Sequence, residues 1–119
     1  MSFQTLLETM LSGIPGSIGA MFLDHEGEAV AVVGRRLPRY DAQIIGAYEG
    51  IFLSQVRRLC SALEFGVADR FKIECEGAQL LLVDLKDGYY LVLVAAPDTP
   101  EGVAWQRLTE TREKLLEEI

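Results

Sequence analysis

One histidine, two cysteines and eighteen carboxylates are the catalytic raw material of this 119-residue chain, and their spacing assembles no reactive group. His25 sits in Asp24-His25-Glu26-Gly27, a turn-forming stretch that puts it in solvent. No second histidine exists to share a metal, and no nucleophile–base pair can be built around it. Cys60 and Cys75 have no CxxC spacing and no neighbouring histidine. They read as buried, reduced thiols of a cytoplasmic protein. Neither a GxxxxGK[ST] phosphate loop nor a GxGxxG fingerprint occurs, which removes those routes to nucleotide binding. The carboxylates are scattered over turns and helix surfaces. The expectation is a protein without metal, cofactor or catalysis of its own. One catalytic role is left, for the tandem Arg57-Arg58: an arginine finger entering a GTPase site. Its rival is plain electrostatics, since cations favour the negative end of a helix. Two aromatic features read as structural. Tyr89 and Tyr90 point to opposite faces of a strand, and Trp105 anchors a helix.

The charge pattern narrows the partners. A net charge of −7 excludes a general nucleic-acid binder, which needs clustered Lys and Arg. Yet between Ala29 and Leu63 five arginines (Arg35, Arg36, Arg39, Arg57, Arg58) stand against Asp41 and Glu49, leaving +3 there and −10 elsewhere. A basic middle on an acidic body can steer a charged protein partner, although solvated surface arginines explain it equally well. The N-terminus "MSFQTLLETMLSG" lacks a positive leader region, and no apolar run reaches the length of a membrane span.

Positioning elements follow from periodicity. Phe3, Leu6, Leu7, Met10, Leu11 and Ile14 repeat at helical spacing, so residues 3–13 form an amphipathic helix that Gly13 and Pro15-Gly16 stop. "SIGAMFLDHEGEAVAVVG" reads as two strands around a turn where Gly27 supplies positive φ. A long helix follows Leu37-Pro38 and runs to Leu63 or Glu64. "RFKIECEG" alternates strictly, with Phe71, Ile73 and Cys75 on a dry face and Arg70, Lys72, Glu74 and Glu76 on a wet one. "AQLLLVDL" and "YYLVLVAA" flank an Asp87-Gly88 turn as a buried hairpin. Asp98 or Thr99 caps a last helix whose stripe is Trp105, Leu108, Leu115 and Ile119. The order α-β-β-α-β-β-β-α, with no linker or repeat, describes one α+β domain over residues 1–119 around a five-stranded antiparallel sheet.

That order and two phrases resemble the Roadblock-type dynein light chain family. "LLETMLSGIPGSIGAMFLDHEGEAVA" resembles its opening, and "KDGYYLVLVAAPDTPEGVAWQRLTETREKLLEEI" its close. Gly102-Val103-Ala104-Trp105 departs from the family's Gly-x-Ala-Arg helix opening. The resemblance implies a long helix on one face of the sheet and two helices on the other. It also implies homodimers in which the third strands pair and the long helices lie side by side. Such members are regulators of small Ras-like GTPases, or scaffolds on motor and membrane complexes. The nearest kind is the bacterial GTPase-activating partner of a polarity and gliding-motility GTPase. A sensor or enzyme using a cleft of a related α+β fold is the remaining alternative.

The long helix carries a pattern of its own that fits a dimer. Ile45, Tyr48, Phe52, Val56, Leu59 and Leu63 fall within about 80° of one another, a stripe suited to covering the sheet. Ala42, Gly46, Gly50 and Ser54 recur every four residues as a row of small side chains. Such a row lets two backbones approach closely. The expected seam is therefore Ala42, Gly46, Gly50 and Ser54, unless the glycines instead fit beneath a loop of the same chain. The strand residues Arg70, Phe71, Lys72, Ile73 and Glu74 would pair edge to edge, Arg70 or Lys72 facing Glu74 or Glu76 of the copy. Gln43, Ile44, Ala47, Ile51, Gln55 and Arg58 then form an outward, partner-binding surface.

Overall fold

Ser2 opens the first helix: its side-chain oxygen accepts a hydrogen bond from the Thr5 amide, the usual service of an N-cap serine. In the computed structural model, which describes residues 2–119, this helix is α1 (Phe3–Ser12). It buries Leu6, Leu7, Met10 and Leu11, the apolar set its period predicts. The chain then makes β1 (Ser17–Leu23) and β2 (Ala29–Gly34), and the long α2 (Arg39–Ala62) follows. Pro38 stands at the N-cap of α2, where a missing amide hydrogen matters little. β3 (Arg70–Glu74), β4 (Gln79–Asp84), β5 (Tyr90–Ala95) and α3 (Glu101–Glu118) complete the chain.

The sheet order is β2-β1-β5-β4-β3, and every neighbouring pair is antiparallel. β5 lies at the centre and is buried along its whole length, which explains its unbroken apolar sequence. Side-chain alternation divides the core into two layers. Ala20, Phe22, Leu81, Val83, Leu91 and Leu93 face α1 and α3. Met21, Leu23, Leu82, Tyr90, Val92 and Val94 face α2. The α+β architecture, the five-stranded antiparallel sheet and the one-against-two placement of helices all agree with the sequence reading.

Local details differ. Thr99 does not cap α3; its hydroxyl donates 2.8 Å to the Pro15 carbonyl and ties the entry to β1 to the exit from β5 at one end of the sheet. Gln79 is buried, and its amide donates to the carbonyls of Ala96 and Thr99 at 3.0 and 3.2 Å. Neither cysteine is buried: Cys60 is half-buried, and Cys75 is exposed just past the end of β3. The period of two that placed Cys75 on a dry face lapses where the strand ends. The wet face of β3 is also partly covered, because α3 reaches over it. Lys72 pairs with Glu74 at 2.6 Å and with Glu101 of α3 at 3.0 Å. Arg70 lies 4.5 Å over the Trp105 ring.

Candidate functional site

α2 is the element whose faces decide what this molecule can do, and its orientation corrects the expected one. The residues it buries against the sheet are Ala42, Gly46, Glu49 and Leu53, a 4-3-4 spacing along one face. The stripe expected on the sheet lies largely outside. Tyr48 is 57% exposed, Phe52 43%, Leu59 59% and Leu63 51%. Only Ile45 of that stripe is packed among the apolar side chains on the sheet. Both rows have helical period, so periodicity could not choose between them. What chooses is clearance beneath the helix.

Gly46 shows the constraint. A Cβ placed there would stand 2.8 Å from the Gly27 carbonyl oxygen in the β1–β2 turn. The turn residue has φ of +82°, and its own Cβ would stand 2.8 Å from the Gly46 carbonyl. Two glycines therefore let the turn rest directly on the helix. Ala42 and Gly46 are thus committed within the chain, and they leave the set of residues open to a second copy. Gly50 has nothing within 4 Å of its virtual Cβ. Ser54, one turn further on, is exposed beside it.

The outward face holds Gln43, Ile44, Ala47, Ile51, Gln55 and Arg58, all exposed. Gly50, Ser54 and Arg58 form one wall of a shallow groove, with His25 and Glu26 opposite. The two arginines part company here. Arg57 turns inward, 3.5 Å from the Asp84 carboxylate and 5.1 Å over the Tyr90 ring. Arg58 makes no ion pair among the described residues. Tyr48 and Phe52 stack on each other at the surface with ring centroids 6.4 Å apart. β3 forms one edge of the sheet, its second side unpaired in the single chain. Phe71 packs on the α2 side of that edge, and Ile73 is half-buried.

Sequence reasoning missed Glu49. It is 3% exposed on the sheet-facing row of α2. Burial pushes its carboxyl up to about 7 from 4.5, against the opposing pull of Arg57. The signal was present in the spacing Ala42-Gly46-Glu49-Leu53, but an acid within an apolar row reads as surface. Burial likewise raises the Asp84 carboxyl, with Arg57 and Arg112 acting against it. Among the described residues no group of three or more metal-ligating side chains comes together, and no helix is long and apolar enough to cross a membrane.

Solved structures match this arrangement closely. A Roadblock/LC7 domain from Streptomyces avermitilis superposes with a TM-score of 0.86 at 17% identity, covering 94% of this chain and 92% of that one. The chain has the Roadblock/LC7 fold. MglB of Myxococcus xanthus gives a TM-score of 0.87 at 11% identity, over 97% of this chain and 92% of that one. The gliding protein MglB from Thermus thermophilus gives 0.85 at 18%, over 97% and 86%. No family model and no curated protein matches the sequence. On this fold, then, the long helix of this chain turns most of its bulky apolar residues away from its own sheet.

Proposed function

We propose that this chain is a non-enzymatic, cytoplasmic regulator that self-associates through α2 and β3 and acts on a small Ras-like GTPase. The observation that carries the reading is the uncovered apolar surface of α2: Ile44, Tyr48, Ile51, Phe52 and Leu59 on one helix exceed what an isolated soluble helix ordinarily shows to water. Burying Tyr48, Phe52 and Leu59 against a second copy supplies the driving force for association, while Ile44 and Ile51 stay on the outer surface. The seam then uses the Tyr48, Phe52 and Leu59 flank of α2 and the edge residues Arg70, Phe71, Lys72, Ile73 and Glu74; Gly50 and Ser54, about half a turn round the helix from that flank, line the groove beside His25 and Glu26 instead. Ala42 and Gly46 contribute only by seating the helix. Gln43, Ile44, Ala47, Ile51, Gln55 and Arg58 form the surface offered to the GTPase. Arg58 supplies its free positive charge, and Arg57, held by Asp84, supports the helix from below.

Sedimentation equilibrium tests the first step: a dimer is expected, and a monomer at high micromolar concentration sinks it. Single-turnover GTP hydrolysis by a candidate GTPase tests the second and should accelerate when this protein is added. Binding without acceleration reduces the protein to a scaffold.

A further inference from the structure

Beneath the middle of α2 lies a cavity of about 320 Å³, lined by Asp24 and His25 of the β1–β2 turn, Glu49, Arg57 and Arg58 of α2, and Tyr90 of β5. Two buried polar atoms on this seam, Glu49 Oε1 and the Tyr90 hydroxyl, have no hydrogen-bond partner among the described residues. Each belongs to a residue that is 3% exposed. Native structures leave few such atoms, and those that remain call for an explanation.

The other charges around the cavity do not choose an ionic ligand. Asp24 Oδ1 already accepts from the amides of Glu26 and Glu28 at 2.9 and 3.0 Å. Arg57 is held by Asp84 of β4. Arg58 and Asp24 both line the opening, without pairing with each other. His25 and Glu26 pair with each other outside, at 3.6 Å. An anion would meet Glu49 and Asp24, and a cation would meet both arginines. The ligand this cluster can take without meeting an unpaired like charge is a proton.

We propose that Glu49 is a proton-operated latch: protonated, it lets α2 sit down on the sheet; ionised, it loosens that seat and the outward face that α2 presents. The link to assembly rests on the proposed self-association through α2; the latch itself does not. A neutral carboxyl is far cheaper to bury than a carboxylate, and the Arg57 guanidinium is already engaged elsewhere. The sign follows from the direction of the shift. The folded-state value, about 7, lies above the ordinary 4.5, so the contribution is complete below about pH 4.5. It is lost progressively as the pH rises through 7. The seat is therefore tightest in mild acid and loosens across the neutral range.

Amide hydrogen exchange of α2, corrected for intrinsic rates, should be read at pH 5.5 and 8.5 alongside sedimentation equilibrium. In the wild type the opening constant of α2 should rise about tenfold or more between the two, and dissociation of the dimer should rise with it. Glu49→Gln, neutral at every pH, should flatten both. Equal pH responses in the wild type and Glu49→Gln overturn the latch. Should that variant fold poorly, direct carboxyl titration of wild-type Glu49 by NMR decides: a midpoint near 7 supports the proposal, and one near 4.5 overturns it. Loosening that depends on Glu49 without association at any pH leaves the latch standing and removes the dimer. Association with pH-independent α2 exchange does the reverse.

Discussion

The two faces of the sheet are covered by opposite strategies. On one side α1 and α3 press Leu7, Leu11, Leu108 and Leu115 onto Phe22, Leu91 and Leu93, all at most 1% exposed. On the other side α2 meets the sheet with an alanine, a glycine, a glutamate and a single leucine, and turns most of its aromatic and aliphatic bulk outward. The first face resembles a finished core, whose cohesion comes from side chains interlocked within one chain. The second is open. Its own contacts hold the helix in place, and it leaves apolar side chains in solvent. The proposed self-association would use that surface, so the sheet would part the residues that fold the chain from those that recognise a partner.

Truncation should break this symmetry most sharply. Leu108→Ala removes a fully buried side chain from the finished face and should cost about 2–5 kcal/mol in chemical denaturation. Ile51→Ala removes one of similar size from the outward face, where 54% of the residue is exposed. It should change monomer stability by less than about 0.5 kcal/mol while weakening binding of the proposed GTPase partner measurably. Equal stability losses at the two sites would erase the distinction between core and interface.

The paired glycines sharpen the comparison within α2. Gly46→Ala drives a methyl group against the Gly27 carbonyl and should destabilise the fold by about 1–3 kcal/mol. Gly50→Ala meets open space and should stabilise the helix by about 1 kcal/mol, the ordinary difference between glycine and alanine. Gly50→Leu should likewise leave the monomer folded, since nothing lies within 4 Å of that position. If both alanine variants shift the midpoint the same way, the turn does not bear on the helix as described.

How far the sequence revealed these two strategies differs by face. The α1/α3 side was legible because hydrophobic period and burial coincide there: Leu6, Leu7, Met10 and Leu11 are the residues both predicted and buried. The order of elements and both hairpin turns were legible for the same reason, since short-range turn chemistry and alternation set them; the edge position of β3 followed only from the family resemblance. The face of α2 was not. Its larger stripe lies away from the sheet, and a helical period of apolar residues does not say which of two such rows meets the sheet. Gly46 was visible as an oddity, but its cause, the carbonyl of Gly27, is a long-range contact. Glu49 was invisible because an acid's burial is settled by the backbone clearance around it and not by its own preference.

Glu49 also gives the comparison a pH dependence. A shift from 4.5 to about 7 corresponds to stability on the order of 3 kcal/mol, fully present below the lower value and lost as pH passes the upper one. The raised Asp84 carboxyl acts in the same sense. Denaturant midpoints of the wild type should therefore fall between pH 5 and pH 8, and those of Glu49→Gln should fall less. Among the described residues the finished face buries no carboxyl in its core, so its contribution should be level over the same range.

The smallest expected effect lies where the two strategies meet, at the β3 edge. Here α3, a helix of the finished face, reaches across to steady the strand that the open face needs. The Trp105 indole N–H donates 3.0 Å to Glu101, Glu101 holds Lys72, and the Trp105 ring carries Arg70. The Glu101 carboxyl is accordingly held below its usual range, by the Trp105 hydrogen bond first and Lys72 second. That contribution is present above the ordinary glutamate range and disappears as the pH falls through the lowered value, opposite in sign to that of Glu49. Trp105→Leu keeps an apolar side chain at the core margin but removes the indole donor and the ring beneath Arg70, a contact worth about 0.5–1 kcal/mol. Global stability should therefore drop only slightly. Hydrogen exchange of the β3 amides should rise more than that of β5, because the edge strand alone loses an anchor. A uniform increase across all five strands would mean that Trp105 serves the finished core, and that the edge is held by its ladder to β4.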